Sequence, residues 1–175
     1  LREETQNQKI LDWYNQYSSD IYRFIFMMIG DQEQAKDLTH DTYLKAYKSL
    51  IHYKNETSDK NWLYRLARHV TIDYMRKKKP LLYMVETFAI IKIDPNCPEK
   101  LTQLDENEQY LYRSLRRLKR SYREVIILRK VKELSIKETS EVLNWSESKV
   151  KVTLLRALSA LKKQLEEEGY EHEAF

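Results

Sequence analysis

SYREVIILRKVKELSIKETSEVLNWSESKVKVTLLRALSALKKQL, residues 121–165, decides the fold. Ser121-Tyr-Arg-Glu124 and Ser135-Ile-Lys-Glu138 have the form of capping boxes. In each, the Ser oxygen and the Glu three residues on satisfy backbone N–H groups that a helix start leaves unpaired. Ser146 offers a third N-cap, with only Asn144 and Trp145 between it and Leu143. The spacing predicts a short helix, a tight turn and a longer helix, with Val150, Leu154, Ala157, Leu158, Leu161 and Leu165 on its apolar side. Ser148, Lys149, Lys151, Thr153 and Arg156 fall on the other side, as expected of a helix that reads the DNA major groove.

The plainer alternative is a helical hairpin whose Lys and Arg residues form a solvated face. Local charge weighs against it. Residues 105–165 hold 15 Lys or Arg and 8 Asp or Glu, whereas the whole chain is only +4. The excess is masked by an acidic tail of Glu166, Glu167, Glu168, Glu171 and Glu173. Such a patch attracts polyanions by counterion release, without choosing a sequence.

Only 2 Gly and 3 Pro in 175 residues leave little turn chemistry for a sheet, so the expected class is all-α. No apolar run approaches the roughly 18 residues of a membrane span. The opening Leu-Arg-Glu-Glu lacks the layout of a secretory signal, and the missing Met suggests a trimmed form. The single Cys97 permits no internal disulfide and suits a reducing cytoplasm. All three prolines lie in residues 80–104, read as a linker between a three-helix block at 6–79 and a four-helix block at 105–168. Within that linker Leu81–Ile91 is too apolar for a solvated tether, and either a helix or a strand fits it.

In the first block, Ile10, Tyr14, Tyr17, Ile21, Phe24, Ile25 and Met28 recur at helical spacing before Gly30, a natural stop. A second helix is expected over about 31–51, with Ala35, Leu38, Thr42, Ala46 and Leu50 inward. A third is expected over about 59–79, with Trp62, Leu63, Leu66, Ala67 and Val70 inward and Arg65, Arg68, His69, Asp73 and Arg76 outward. The polar stretch His52–Asn61 joins the last two and could hold an unstacked base. Trp13, Trp62 and Trp145 fit a core better than a stacking platform. His69 is as consistent with a structural role as with a phosphate contact. Asp37 and Asp41, one turn apart, have no third ligand near them, so a surface for a basic partner suits them better than a metal or an acid–base pair.

The run Asp31-Gln-Glu-Gln-Ala35-Lys-Asp37-Leu-Thr-His-Asp41-Thr-Tyr43-Leu-Lys-Ala46 resembles the second region of bacterial sigma factors, which grips the clamp helices of the RNA polymerase β′ subunit. Trp62-Leu-Tyr-Arg-Leu-Ala67-Arg68-His-Val-Thr-Ile-Asp73-Tyr-Met-Arg76 is similar to that family's minus-10 helix. Ser146-Glu-Ser-Lys-Val150-Lys151-Val-Thr-Leu-Leu-Arg156-Ala157 is similar to its minus-35 recognition helix. Two such blocks joined by a linker resemble the compact extracytoplasmic function (ECF) group, and parts of both resemble the sigma-X type of Gram-positive bacilli.

The resemblance implies a function: binding core polymerase, directing it to promoters and helping to melt the minus-10 region. It implies core-polymerase contacts at Gln34, Asp37, Leu38, Asp41 and Thr42. It also implies minus-10 contacts at Asn55, Ser58, Lys60, Arg65, Arg68, His69 and Arg76, and minus-35 contacts at Ser148, Lys149, Lys151, Thr153 and Arg156. Promoter DNA, polymerase core and an anti-sigma factor are the implied partners, the last able to hold the chain at the membrane. Lys149, Thr153 and His69 depart from the residues frequent in the family, so the resemblance implies a binding mode and not a particular promoter sequence.

Two other classes fit less well. A helix-turn-helix regulator outside polymerase should carry a receiver or a ligand pocket, and the first block suggests neither. An enzyme is not expected: Gly30 and Gly169 cannot build a phosphate loop, and His40, His52, His69 and His172 show no metal-ligand spacing with Cys97. No cofactor, metal or small-molecule substrate is expected.

Overall fold

A computed structural model describes residues 2–54, 57–86 and 106–167. Among these, every regular element is helical. The chain divides into two compact units, one built on α1 (Arg2–Ile29), α2 (Gln32–Ser49) and α3 (Asp59–Glu86), the other on α4 (Glu106–Arg117), α5 (Arg120–Ile126), α6 (Ile136–Leu143) and α7 (Glu147–Glu167).

In the first unit the helices are broken by specific residues. Gly30 takes a positive φ of 73°, open to glycine without steric cost, and its N–H closes α1 on the Phe26 carbonyl at 2.7 Å. Asp31 then caps α2, its carboxylate accepting the Gln34 N–H at 2.9 Å. With so short a break, α1 and α2 pack together and α3 packs on both. Ile21, Phe24, Ile25 and Met28 from α1 meet Ala35, Leu38 and Ala46 from α2 and Leu63, Tyr64 and Ala67 from α3, all buried. Phe24 and Tyr64 lie edge to face, centroids 5.5 Å apart. Buried Thr39, Thr42 and Thr71 each donate to the carbonyl four residues back at 2.7 Å, so these three hydroxyls are paired.

The third helix runs past its expected end near residue 79: it continues through Pro80 to Glu86, so 81–86 take the helical form, one of the two left open for Leu81–Ile91. Proline removes one backbone donor, and the Leu and Met that follow it are strong helix formers. Residues 87–104, the rest of the expected linker, lie outside the described residues, as do 87–91 of the apolar stretch.

The second unit has a core of Leu115, Leu118, Val125, Ile127, Leu128, Leu134, Val150, Ala157 and Leu161. α7 packs against α5 and α4. The chain turns from α4 to α5 around Arg123, which is buried and donates to the carbonyls of Leu115 (3.0 Å), Arg116 (2.6 Å) and Leu118 (3.2 Å). Arg116 belongs to the last turn of α4, where carbonyls lack the usual helical partner, and the Leu115 carbonyl also accepts the Leu118 N–H at 3.2 Å. Burial, and secondarily repulsion from Arg116, lower the Arg123 pKa to about 10 against the opposing pull of Glu124, so it stays charged at neutral pH.

Ser121 is not the cap expected of it. Lys119 occupies the N-cap position without a side-chain bond, and α5 begins at Arg120. The reason lies in Glu124. Its side chain is fully buried and paired with Arg120 at 3.6 Å, so it is committed to the interior rather than folded back onto the helix start. After α5 the backbone widens into a π-helical turn at Ile127–Val131, closed by Lys132 N–H on the Ile127 carbonyl at 2.9 Å. The capping box at Ser135 forms in full. Ser135 Oγ accepts the Glu138 N–H at 3.1 Å, and the Glu138 carboxylate accepts the Ser135 N–H at 2.7 Å.

These caps make a measurable distinction. Ser135→Ala is expected to cost about 1 kcal/mol of stability, while Ser121→Ala stays within about 0.5 kcal/mol. Urea melting of the full chain, followed at the second unit's transition, checks the difference, and equal losses would contradict the assigned helix starts.

Candidate nucleic-acid and polymerase interfaces

The turn into α7 is built by three consecutive residues. Asn144 ends α6 in the left-handed conformation (φ 54°, ψ 48°), which Asn tolerates better than most residues. Its N–H and that of Trp145 both reach the Ser140 carbonyl, the latter at 3.0 Å. Ser146 starts α7 by accepting the Lys149 N–H at 3.2 Å. This is the helix-turn-helix that the sequence predicts. The half-buried Trp145 carries the Lys149 ammonium 4.5 Å above its ring, placing that charge at the N-terminal turn of α7.

Ser148, Lys149, Lys151 and Arg156 are exposed along α7. Thr153 is half-buried, near the edge of the face rather than in its middle. Sequence reasoning passed over two residues of this surface, Val152 and Leu155, which are exposed although apolar. A helical wheel drawn from Val150 would have found them.

On α3, Arg65, His69 and Arg76 lie at i, i+4 and i+11, one stripe of the outward face, with Arg68 a step aside. His69 is exposed, yet its pKa is held below the ordinary histidine value. Partial desolvation contributes most, followed by repulsion from Lys45, Arg68 and Arg65, while Asp73 opposes. Lys45 therefore adds charge to this surface from α2, which the sequence pattern did not reveal. Asp73 pairs with Arg76 and tempers it.

Lys60 does not join this stripe. It lies on the α1 side of the first turn of α3, 3.9 Å from Asp20. Ser58 has a structural duty as well: its hydroxyl accepts the Asn61 N–H at 3.2 Å and caps α3. Asn55 lies outside the described residues.

The connection between α2 and α3 is pinned at both ends. A 3-10 turn at Leu50–His52 leads to Tyr53, whose hydroxyl reaches Asp59 at 2.7 Å and the Thr57 carbonyl at 2.9 Å. The other oxygen of Asp59 accepts the Trp13 indole N–H at 2.9 Å. The rings of Trp13, Tyr53 and Trp62 pack within 4.5–5.7 Å of one another, and the Lys9 ammonium sits 4.8 Å above Trp13. Burial, and then the bond to Asp59, raise the Tyr53 pKa, so the phenol remains a donor. Trp13 is a core residue and Trp62 a half-buried one. Neither stands out as a free stacking platform.

On α2, Asp37 and Asp41 are exposed and Gln34 is half-buried. Leu38 and Thr42 are buried inside the unit, so their side chains support this face from within and are not available to a partner. Leu38 lies three residues after Ala35 and Thr42 four before Ala46, which places both on the inward stripe. The exposed side instead offers Leu44, 58% exposed, one turn beyond His40 and Asp41, with Tyr47 and Ile51 following.

The Sigma-70 region 2 family matches residues 13–80, and the Sigma-70, region 4 family matches residues 108–161. The ECF RNA polymerase sigma factor SigX of Bacillus subtilis is 35% identical over 158 residues, covering 87% of this chain and 81% of SigX. The RNA polymerase sigma factor YlaC of the same organism is 35% identical over 165 residues, covering 89% and 91%. Among solved structures, the sigma factor RpoE of Bartonella quintana, crystallised with the anti-sigma factor NepR, has a similar fold: TM-score 0.73 at 21% identity, covering 91% of this chain and 98% of that one.

The Asp59 cluster has a testable consequence. Asp59→Ala leaves the Trp13 indole without its acceptor and the Tyr53 hydroxyl with the Thr57 carbonyl alone, at an expected cost of about 1–3 kcal/mol. Tyr53→Phe, which leaves Asp59 still accepting the Trp13 N–H, should cost less. Urea melting of the first unit's transition checks the order.

Proposed function

The chain belongs to the extracytoplasmic function group of sigma-70 factors, which direct RNA polymerase to promoters, and from that membership we propose how its surfaces divide the work. α7 lies in the major groove of a minus-35 duplex, with Ser148 and Arg156 near base edges and Lys149 and Lys151 on phosphates. The observation that carries this is the N-terminal turn of α7, fixed by the left-handed Asn144 and the Ser146 cap and presenting an exposed cationic and hydroxyl face.

The stripe of Arg65, His69 and Arg76, with Arg68 and Lys45 beside it, takes the phosphates of the melted minus-10 strand. The pinned connection between α2 and α3, which includes Asn55 and Ser58, receives an unstacked base. Extruding a base costs a few kcal/mol, which stacking and hydrogen bonds to the base edge offset. Melting then draws on binding energy, and polymerase carries out RNA synthesis.

The β′ clamp helices of core polymerase dock on the exposed side of α2, where Asp37 and Asp41 give charge complementarity and Leu44 and Tyr47 give an apolar centre. Such a pattern, an aliphatic or aromatic anchor inside a charged rim, suits a protein interface. An anti-sigma factor is a further partner, supported by the RpoE–NepR complex. It would occlude the DNA faces in the cytoplasm or hold the chain at the membrane. No described helix is long and apolar enough to cross a membrane.

Transcription from fragmented genomic DNA by core polymerase plus the full chain, with starts mapped, tests the reading. Defined starts that depend on the chain are expected, and their absence would overturn it. Asp41→Arg should abolish co-purification with core polymerase while helicity is retained, since Asp41 is exposed; unchanged co-purification would remove α2 from the docking surface.

His69 supplies a pH test. Its pKa is lowered in the free protein by desolvation and by Lys45, Arg68 and Arg65. A bound phosphate backbone counters that repulsion and raises the value. Binding then takes up a proton, so affinity is greatest below the free-protein pKa and falls as pH rises through the bound-state value. Each unit of rise corresponds to roughly tenfold in affinity. Titrating holoenzyme with a minus-10 single strand between about pH 5 and pH 8 reads the slope, and His69→Gln should flatten it; an identical slope in the variant would exclude His69 from the contact.

A further inference from the structure

The outward face of α7 has an apolar centre, although every residue assigned to it by its chemistry is polar. Val152 is 46% exposed and Leu155 70%. At about 100° per residue, Val152 lies within roughly 60° of Ser148, Lys149, Leu155 and Arg156. The buried Val150, Ala157 and Leu161 point the other way. Val152 is therefore encircled by a hydroxyl, two cations and a second aliphatic side chain.

Local stability does not account for this placement. A β-branched residue on an exposed helical face costs about half a kcal/mol relative to Ala, and here it stays only partly covered. One exposed aliphatic residue would need no explanation. Two adjoining ones, in the cationic half of the helix that faces DNA, call for a partner with an apolar spot inside an anionic, hydrogen-bonding surface. The major groove has one such feature, the C5 methyl of thymine. The cations around Val152 match the phosphates flanking it, and Ser148 and Arg156 match polar base edges on either side.

We infer that Val152 reads a thymine methyl in the minus-35 duplex, making it a specificity-determining residue of α7, with Leu155 widening the patch and excluding water. The inference rests on the reading of α7 as the major-groove helix. It adds what the charged residues cannot supply, because a cation on a phosphate is indifferent to sequence, whereas a methyl contact separates thymine from cytosine and from uracil.

The test uses holoenzyme assembled from core polymerase and the full chain. A duplex pool randomised across the minus-35 position is selected for binding. Each thymine of the recovered duplex is then replaced singly by deoxyuridine, which removes the methyl and nothing else. One replacement is expected to weaken binding roughly three- to tenfold, the scale of one buried methyl group. With Val152→Ala that same replacement should change binding less than about twofold. Circular dichroism of the variant confirms that the exposed substitution leaves the fold unchanged. A recovered sequence in which no thymine is sensitive, or in which the sensitive one stays sensitive in Val152→Ala, overturns the inference and leaves the DNA reading standing. A pool that returns no preferred sequence overturns both.

Discussion

Helix termination is the constraint on which both units depend. With glycine at only two positions, the chain cannot rely on glycine to reverse its direction. It uses polar side chains instead. Asp31 starts α2, Ser58 starts α3, Ser135 and Glu138 start α6 reciprocally, and Ser146 starts α7. Each cap satisfies backbone donors that would otherwise need water. Because these breaks are short and fixed, consecutive helices are held against each other, and the apolar stripe of one meets that of the next. The same caps determine which side of each helix remains outside, so they position the functional surfaces as well as the cores.

On those surfaces, charge and apolar area do different things. Arg65, Arg68, His69 and Arg76 on α3, and Lys149, Lys151 and Arg156 on α7, create a field that favours polyanions and falls off within about a Debye length. Such a field raises encounter rates and total affinity, but it does not discriminate. Discrimination needs short-range contacts whose loss leaves a partner group unsatisfied or a methyl exposed. The apolar residues at the centres of two polar faces, Leu44 on α2 and Val152 on α7, are suited to that part of a sigma factor's task.

Much of the candidate site was legible from residue spacing. The helix-turn-helix followed from Ser135, Asn144 and Ser146, because capping is a local interaction between residues at most a few positions apart. The outward placement of Asp37, Asp41, Arg65, His69 and Lys149 followed from helical periodicity. Ser121 failed as a cap because Glu124 is consumed in the interior, a fact that no local pattern contains. Leu38 and Thr42 lay in the run that resembles sigma region 2 yet are buried, since a motif marks a segment and not the direction of each side chain. Lys60 turned toward Asp20, and Lys45 reached the neighbourhood of His69, through contacts between helices distant in sequence.

The sequence by itself determined the all-helical class, the two-block organisation and the identity of the basic helices, since each follows from periodicity, composition and caps that act within a few residues. Tertiary structure alone decided which polar groups become internal fasteners. Arg123 tethers the end of α4, and Asp59 draws Trp13 and Tyr53 together, because burial makes an unpaired polar group costly and packing supplies the partner. The same packing left Leu44 in solvent, whereas the exposure of Val152 and Leu155 follows from helical periodicity counted from Val150.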